Sequence, residues 1–275
     1  MRPADRLGLA LRYALSGLLA AASLAPFVFM LLISLEHRHF LTPDPSSWVP
    51  RQPTLDPYLD VLRLSGFGRW FLNSGVVAGV STLAVVWIQS MAAYAFAHKR
   101  FPGRDHLFYV VLAGLMIPGA MTLIPVFLIA RNLGMVNQYS GLIVPGLAGP
   151  MGVFLLRQYM LSLPTGLLDA ARMDGCGELG VYRHVVLPLC VPALSTLAII
   201  TFTAQWSSFL WPLLISTDDA MKTLPVGLAA IDTQFSTDYG ARMAGALLSI
   251  LPVLVVFLFL QRHFIRGLTA GALKE

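Results

Sequence analysis

The stretch WFLNSGVVAGVSTLAVVWIQSMAAYAF, Trp70 to Phe96, contains no charged side chain. Wound as a helix rising about 1.5 Å per residue, it outreaches the roughly 30 Å hydrocarbon core of a bilayer. Five further apolar runs flank it: Tyr13 to Leu35, Leu107 to Ala130, Tyr139 to Leu155, Val185 to Ile215 and Met243 to Phe264. The predicted fold is all-α, a polytopic membrane protein with six transmembrane helices. The fourth run is the weakest, short and carrying Pro145 and Pro150, and the fifth is long enough to be broken at Pro212.

Composition agrees with lipid as the solvent. The 275 residues are 56% hydrophobic and 12% charged, against about 25% charged in soluble domains. A water-soluble globular fold is excluded. The first run follows Arg2, Arg6 and Arg12 like a secretory signal, but it continues through Phe27 to Leu35, too long for a cleaved segment, and is read as a retained span.

Placing both termini in the cytoplasm puts 12 of the 19 basic residues inside, among them Lys99, Arg100, Arg104, Arg157, Arg172 and Arg183. Seven remain outside, from Arg38 to Arg242, as the positive-inside rule asks. The net charge of +5 therefore reads as topology rather than as nucleic-acid affinity. Residues 1–12 form an inner N-terminal segment, 13–264 the six-span domain and 265–275 an inner tail. The outer segment Glu36 to Arg69 carries Pro43, Pro45, Pro50, Pro53 and Pro57 and is expected to be extended and irregular. Thr217 to Arg242 is the other long exposed segment, open to an external partner or to solvent.

Several chemistries have no carrier. None of the lysines, Lys99, Lys222 and Lys274, follows a phosphate-cradling glycine pattern, so this chain is not expected to hydrolyse ATP unaided. Gly-x-Ser-x-Gly and His-Glu-x-x-His are missing. Cys176 and Cys190 lie outside any metal spacing, and His37 and His39 have no third ligand nearby, so no metal is expected.

The most specific stretch is the inner loop over 163–184 and its continuation to Pro188, LPTGLLDAARMDGCGELGVYRHVVLP. Pro164 suits a first helical turn, Leu167, Leu168 and Ala171 fall on one apolar side, and Gly175 is a natural left-handed terminator. A short amphipathic helix at the cytoplasmic face is predicted. Interfacial helices are common, so amphipathicity alone says little.

The order of residues resembles the Glu-Ala-Ala loop of ABC importer permeases. Asp169 stands in the Glu position, Ala170 and Ala171 match, Asp174 and Gly175 match the Asp-Gly, Tyr182 takes the aromatic position, and Leu187 and Pro188 close the motif. Gly166 stands where relatives often have a second Glu, and Cys176 where they have Ala. Other stretches resemble carbohydrate-uptake permeases: Ala92 to Arg104, Phe154 to Pro164, Trp206-Ser-Ser-Phe-Leu-Trp-Pro-Leu213, and Gln261 to Lys274, similar to the end of a maltose-permease-like second subunit.

That resemblance implies the type I ABC importer permease fold in a bacterial inner membrane. It implies half of a translocation path for a sugar or sugar-derived solute, and a loop forming the coupling helix that docks on a cytoplasmic ATPase. The implied partners are a homologous second permease, two ATPase subunits that bind ATP and Mg, and an extracytoplasmic solute-binding protein. No cofactor is expected in this chain. The tail residues Gly267, Thr269, Gly271 and Lys274 match a segment that reaches between the ATPase subunits in the family. The resemblance leaves the particular cargo open.

Three polar or aromatic residues at membrane depth have two readings each. Gln89 and Gln205 either face a solute path or make interhelical hydrogen bonds. Trp206 either stacks on a sugar or anchors an interface. Gly75 and Gly79 form a small-residue step for a helix of this chain or of a second permease. Against an ion-driven transporter acting alone stands the near lack of ionisable groups within the spans; against a membrane enzyme stands the lack of a nucleophile or carboxylate cluster.

Overall fold

The computed structural model describes residues 3–38, 48–64, 66–231 and 238–272, with the side chains of 3–8, 10, 231 and 262–272 left undescribed. Among the described residues the ordered elements are all helical. By contacts the chain divides into two compact units, 1–67 with 228–251 and 68–227 with 252–275.

Three helices are long and apolar enough to cross a membrane: within α1 (Pro3–Ser34) the segment Leu11–Ser34, α3 (Phe67–His98), and Tyr239–Gln261 of α14 (Tyr239–Ala272). α2 (Asp56–Arg63) lies between the first two. Three more spans result when each bent helix pair is taken as one. The first pairs α4 (Arg104–Ala113) and the 3-10 turn after it with α5 (Gly119–Asn132), bent by 103° at Ile117 and Pro118. The second pairs α6 (Tyr139–Ile143) and its 3-10 continuation Val144–Gly146 with α7 (Pro150–Leu161), bent by 45°. The third runs through α9 (Glu178–Val181), a π turn at Tyr182–Val186 and α10 (Leu187–Leu189) into α11 (Val191–Trp206), bent by 77°. Between the last two pairs lies α8 (Thr165–Met173).

α3 shows how such a helix is held in lipid. Its buried positions include Asn73, Ser74, Ser81, Thr82, Gln89 and Ser90, whereas Leu72, Val80, Leu83, Trp87 and Met91 are exposed. Hydrocarbon accepts the large apolar residues, while small and hydroxylated residues allow close approach and hydrogen bonds within the protein. Asn73 donates to the carbonyls of Ala220 and Lys222 at 2.9 and 2.8 Å and accepts from the Tyr139 hydroxyl at 2.7 Å. At Gly75 and Gly79 a Cβ would meet nothing within 4 Å, so no described helix of this chain uses that step.

The first unit joins the C-terminal end of α1 to α2 and the start of α14. Ser34 and Tyr58 share a hydrogen bond of 2.6 Å, and the Thr54 amide donates to Leu35 at 2.7 Å. Asp238 caps α14 by accepting from the amides of Gly240 and Ala241, and its other oxygen lies 2.5 Å from His37 Nδ1.

The structure corrects several expectations. The Glu36–Arg69 segment is not wholly irregular, because Pro57 sits in the first turn of α2, where a missing N–H costs nothing. The fifth span is not broken at Pro212, which lies buried in the first turn of α12 (Leu210–Ile215). The helix stops at Ser207 instead and bends again between Leu189 and Val191, beside Pro188 and Pro192. Thr217–Arg242 is more than a solvated connection: α13 (Leu224–Ile231) inserts Leu224 and Val226 into the interior.

Candidate functional site

The predicted interfacial helix is α8, with Pro164 at its N-cap. Leu168 is 2% exposed and seated among Leu156, Met160, Val181, Tyr182 and Val186. Ala171 and Cys176 pack beside that cluster, while Leu167, expected on the same side, is 47% exposed. Its Cα direction is one residue, about 100°, away from Leu168, which puts it outside the buried sector. Gly166, Asp169, Ala170 and Met173, spaced three and four apart, form the exposed stripe. Met173 is 88% exposed. A narrow small-residue ridge ending in a flexible apolar side chain suits insertion into a partner groove.

The helix ends as a Schellman motif. The Cys176 amide donates to Ala171 and the Gly175 amide to Arg172, both at 3.0 Å, and Gly175 has φ of +85°. That turn sends the chain back along α3, where polar contacts secure it. Glu178 pairs with Lys99 and accepts from the Tyr94 hydroxyl at 2.8 Å, and its second oxygen lies 3.5 Å from Arg172 Nε. Arg172 also donates to Asp169 at 2.8 Å. Asp169 is thus already committed within α8, three residues from its partner. Tyr182, in the aromatic position, is buried and hydrogen-bonded to Ser90 of α3 at 2.7 Å.

Beyond Tyr182 the backbone widens into the π turn before Leu187 and Pro188. Pro188 lacks the N–H that an α-helix would send back to His184, and the wider turn accommodates the ring. Leu187 packs against the Leu168 cluster. The residues Asp169, Ala170, Ala171, Asp174, Gly175, Leu187 and Pro188 therefore share one substructure, with Asp174 at the C-cap of α8. Glu178, Lys99, Tyr94 and Ser90 belong to it as well and were not singled out from sequence, because their partners are distant in the chain and no spacing rule joins them.

The three path candidates separate. Gln89 is 3% exposed and donates to the Leu147 carbonyl at 3.0 Å, an interhelical tie through its Nε2. Trp206 is 3% exposed between Phe71, edge-on at 5.4 Å, and Phe202, stacked at 5.8 Å, so its ring is occupied by protein. Gln205 lines a cavity with Thr122, Ser208 and Trp211. Gly267, Thr269 and Gly271 lie on the final turns of α14 with nothing described of their surroundings, and Lys274, like His39, lies outside the described residues.

A model of the family of binding-protein-dependent transport system inner membrane components matches residues 84–270, spanning the Leu168 cluster, α8 and the Gln205 cavity. The chain belongs to this family. It is a multi-pass inner-membrane permease of an ABC importer, and transport rather than chemistry is its work. It is 39% identical over 226 residues, 82% of this chain and 81% of the relative, to the arabinooligosaccharides transport system permease protein AraQ of Halalkalibacterium halodurans. It is 32% identical to the sulfoquinovosyl glycerol transport system permease protein SmoH of Agrobacterium fabrum, over 97% of this chain and 94% of the relative. In fold it is similar to a chain of a bacterial ABC transporter involved in the import of the acidic polysaccharide alginate, with a TM-score of 0.81 at 24% identity, covering 96% of this chain and 99% of that one.

Proposed function

We propose that this permease forms one half of the translocation path of a carbohydrate importer, the other half being a homologous permease. Cytoplasmic ATPase subunits bind ATP and Mg and dock on α8, and an extracytoplasmic binding protein delivers the cargo. Both termini face the cytoplasm. The observation that carries this reading is the exposed stripe Gly166, Asp169, Ala170 and Met173 on a helix whose opposite side is locked to the spans by Leu168. Support for a sugar-type cargo comes from relatives named for arabinooligosaccharides and for sulfoquinovosyl glycerol.

ATP-driven closure of the ATPase pair displaces α8. Glu178 and Tyr182 then transmit that displacement to α3, and the spans pass from inward-open to outward-open. ATP drives the change because it binds the two ATPase states unequally. The gene products encoded beside this one, co-expressed and reconstituted in proteoliposomes, should import a sugar only with ATP inside and binding protein outside. Uptake by this chain alone, driven by an ion gradient, would overturn the reading.

A further inference from the structure

Three spans lose their regular helix at places that meet. The third breaks at Ile117 and Pro118, just before Gly119; the fourth tightens to a 3-10 turn at Val144–Gly146 before its break; the fifth stops between Ser207 and Phe209. Gly119, Pro145, Gly146, Gln205 and Ser208 all line one cavity of about 270 Å³. Irregular backbone at membrane depth leaves amide and carbonyl groups without helical partners, and it is tolerated only inside protein or beside a water-filled space. One such break is a packing detail, but three opening on the same cavity bring polar backbone groups to a wall that is otherwise partly apolar.

Its polar side chains are uncharged and stand beside the apolar Leu123, Val126, Leu142 and Pro145. Gln205 makes no side-chain hydrogen bond among the described residues, and a Cβ on Gly146 would lie 2.6 Å from its amide nitrogen, so the glycine leaves room for that amide. An amide at membrane depth with no protein partner is costly unless water or solute satisfies it. Ser208 adds a hydroxyl. Thr122 donates to Gly119 at 3.0 Å and keeps its lone pairs for another donor. Trp211 spends its indole N–H on the Gly141 carbonyl at 2.9 Å, so what remains for an occupant is its ring. No charged residue lines this cavity.

Resting on the reading of this chain as a carbohydrate permease, we propose that this cavity is where the subunit meets its cargo, and that it accepts uncharged saccharide units rather than anionic ones. Amide and hydroxyl groups exchange hydrogen bonds with sugar hydroxyls, and an aromatic face packs on the C–H side of a sugar ring. An anionic sugar would leave its charge without a cationic partner in a site of low dielectric. The volume lies just below the roughly 300–1,000 Å³ of sites that hold drug-sized ligands, which fits one ring at a time in transit.

The test uses the complete importer in proteoliposomes with arabinotriose and maltotriose as neutral probes and sulfoquinovosyl glycerol and an alginate trisaccharide as anionic ones. At least one neutral probe should accumulate with ATP, and Gln205→Leu and Ser208→Ala should each raise the ATP spent per sugar moved by at least about fivefold, the effect of losing one hydrogen bond of ordinary strength. Ser208→Cys, with Cys176 and Cys190 replaced by Ala, should react with a water-soluble methanethiosulfonate and be protected by the transported sugar. Normal coupling in both Gln205→Leu and Ser208→Ala, or a thiol in the Ser208→Cys variant that never reacts, would overturn the cavity assignment. Import of the anionic probes alone would overturn its selectivity. ATP-driven uptake of none of the four would instead sink the carbohydrate reading and this inference with it.

Discussion

Tyr182 and Ser90 share a hydrogen bond of 2.7 Å between buried hydroxyls, joining the loop that leaves α8 to the C-terminal third of α3. Tyr182 also lies 5.3 Å, ring to ring, from Tyr94, one turn further along α3. This contact places the loop after α8 and the second span under common constraint. Removal of the phenolic oxygen should leave Ser90 with only its bond to the Trp87 carbonyl. Tyr182→Phe and Ser90→Ala are each expected to destabilise the purified protein by about 0.5–1.5 kcal/mol. The double variant should cost less than the sum, read from thermal unfolding in detergent; strict additivity would show that the two hydroxyls do not interact.

Glu178 holds the other end of the same connection. Glu178→Lys should weaken the coupling of ATP hydrolysis to uptake, since it sets a cation against Lys99 and Arg172. Lys99→Glu should do similar harm. The exchanged pair, Lys99→Glu with Glu178→Lys, is expected to recover part of the coupling, measured as solute moved per ATP; no recovery at all would assign the residues separate roles.

A Cβ placed on Gly175 would meet nothing within 4 Å, so the demand on this position is its φ of +85° and not space. Gly175→Leu should add about 1–2 kcal/mol of backbone strain and misdirect the turn, whereas Gly175→Asn should be tolerated better. Uptake and ATPase co-purification should fall in that order while membrane insertion persists. Asp169→Ala should be milder, because an exposed i,i+3 pair contributes only about 0–1 kcal/mol. Equal loss in Asp169→Ala and Gly175→Leu would contradict a steric role for the turn.

The His37 and Asp238 pair responds to pH. The hydrogen bond that His37 donates to Asp238, aided by the charges of Asp238, Asp60 and Asp56, outweighs burial and raises the His37 pKa above its usual 6.5. Burial pushes the Asp238 carboxyl up, but His37 and the amides of Arg38 and Ala241 hold it below its usual 3.8. The histidine's contribution is therefore complete below about pH 6.5 and fades as pH rises through the elevated value. The aspartate's is complete above about pH 3.8 and fades as pH falls through the depressed value. Thermal stability should decline from pH 6 to pH 9 more steeply in the natural protein than in His37→Gln; parallel curves would remove this pair from the account.

Orientation has its own check. In a Cys176→Ala, Cys190→Ala background expressed without partners, Leu55→Cys should label with an impermeant reagent applied from outside. Leu179→Cys should label only after permeabilisation. Both replaced residues are exposed, at 64% and 70%, so access is decided by side alone. The opposite pattern would invert the proposed topology.

The apolar runs made the spans legible because lipid solvation is a property of composition over about 20 residues. Gly175 was legible because a left-handed terminator has few alternatives to glycine. The bends were harder to read. Pro118, Pro150 and Pro188 stand at or beside breaks, yet Pro26, Pro125 and Pro252 lie inside continuous helices. Whether a proline bends or breaks a helix depends on which neighbours accept the freed carbonyl, and that is settled by packing. The α2 and α13 helices are harder to read for another reason: at eight residues each they are too short for a periodic apolar pattern to stand out. Likewise, the separation of Gln205 from Gln89 and Trp206 follows from which side of each helix meets protein, a relation with no local spelling.

The π turn at Tyr182–Val186 leaves one spare residue in the winding between α8 and the fifth span. Take that residue away and the turn closes to ordinary α pitch, with every motif side chain still present. All that precedes it would then be rotated by about 100° against all that follows. Tyr182 would swing off Ser90, and the stripe headed by Met173 would aim elsewhere. The distance counted in residues from Gly175 to Pro188 is thus under as firm a constraint as the identity of either one, and a shortened loop with a perfect motif would be a transmission with its teeth out of mesh.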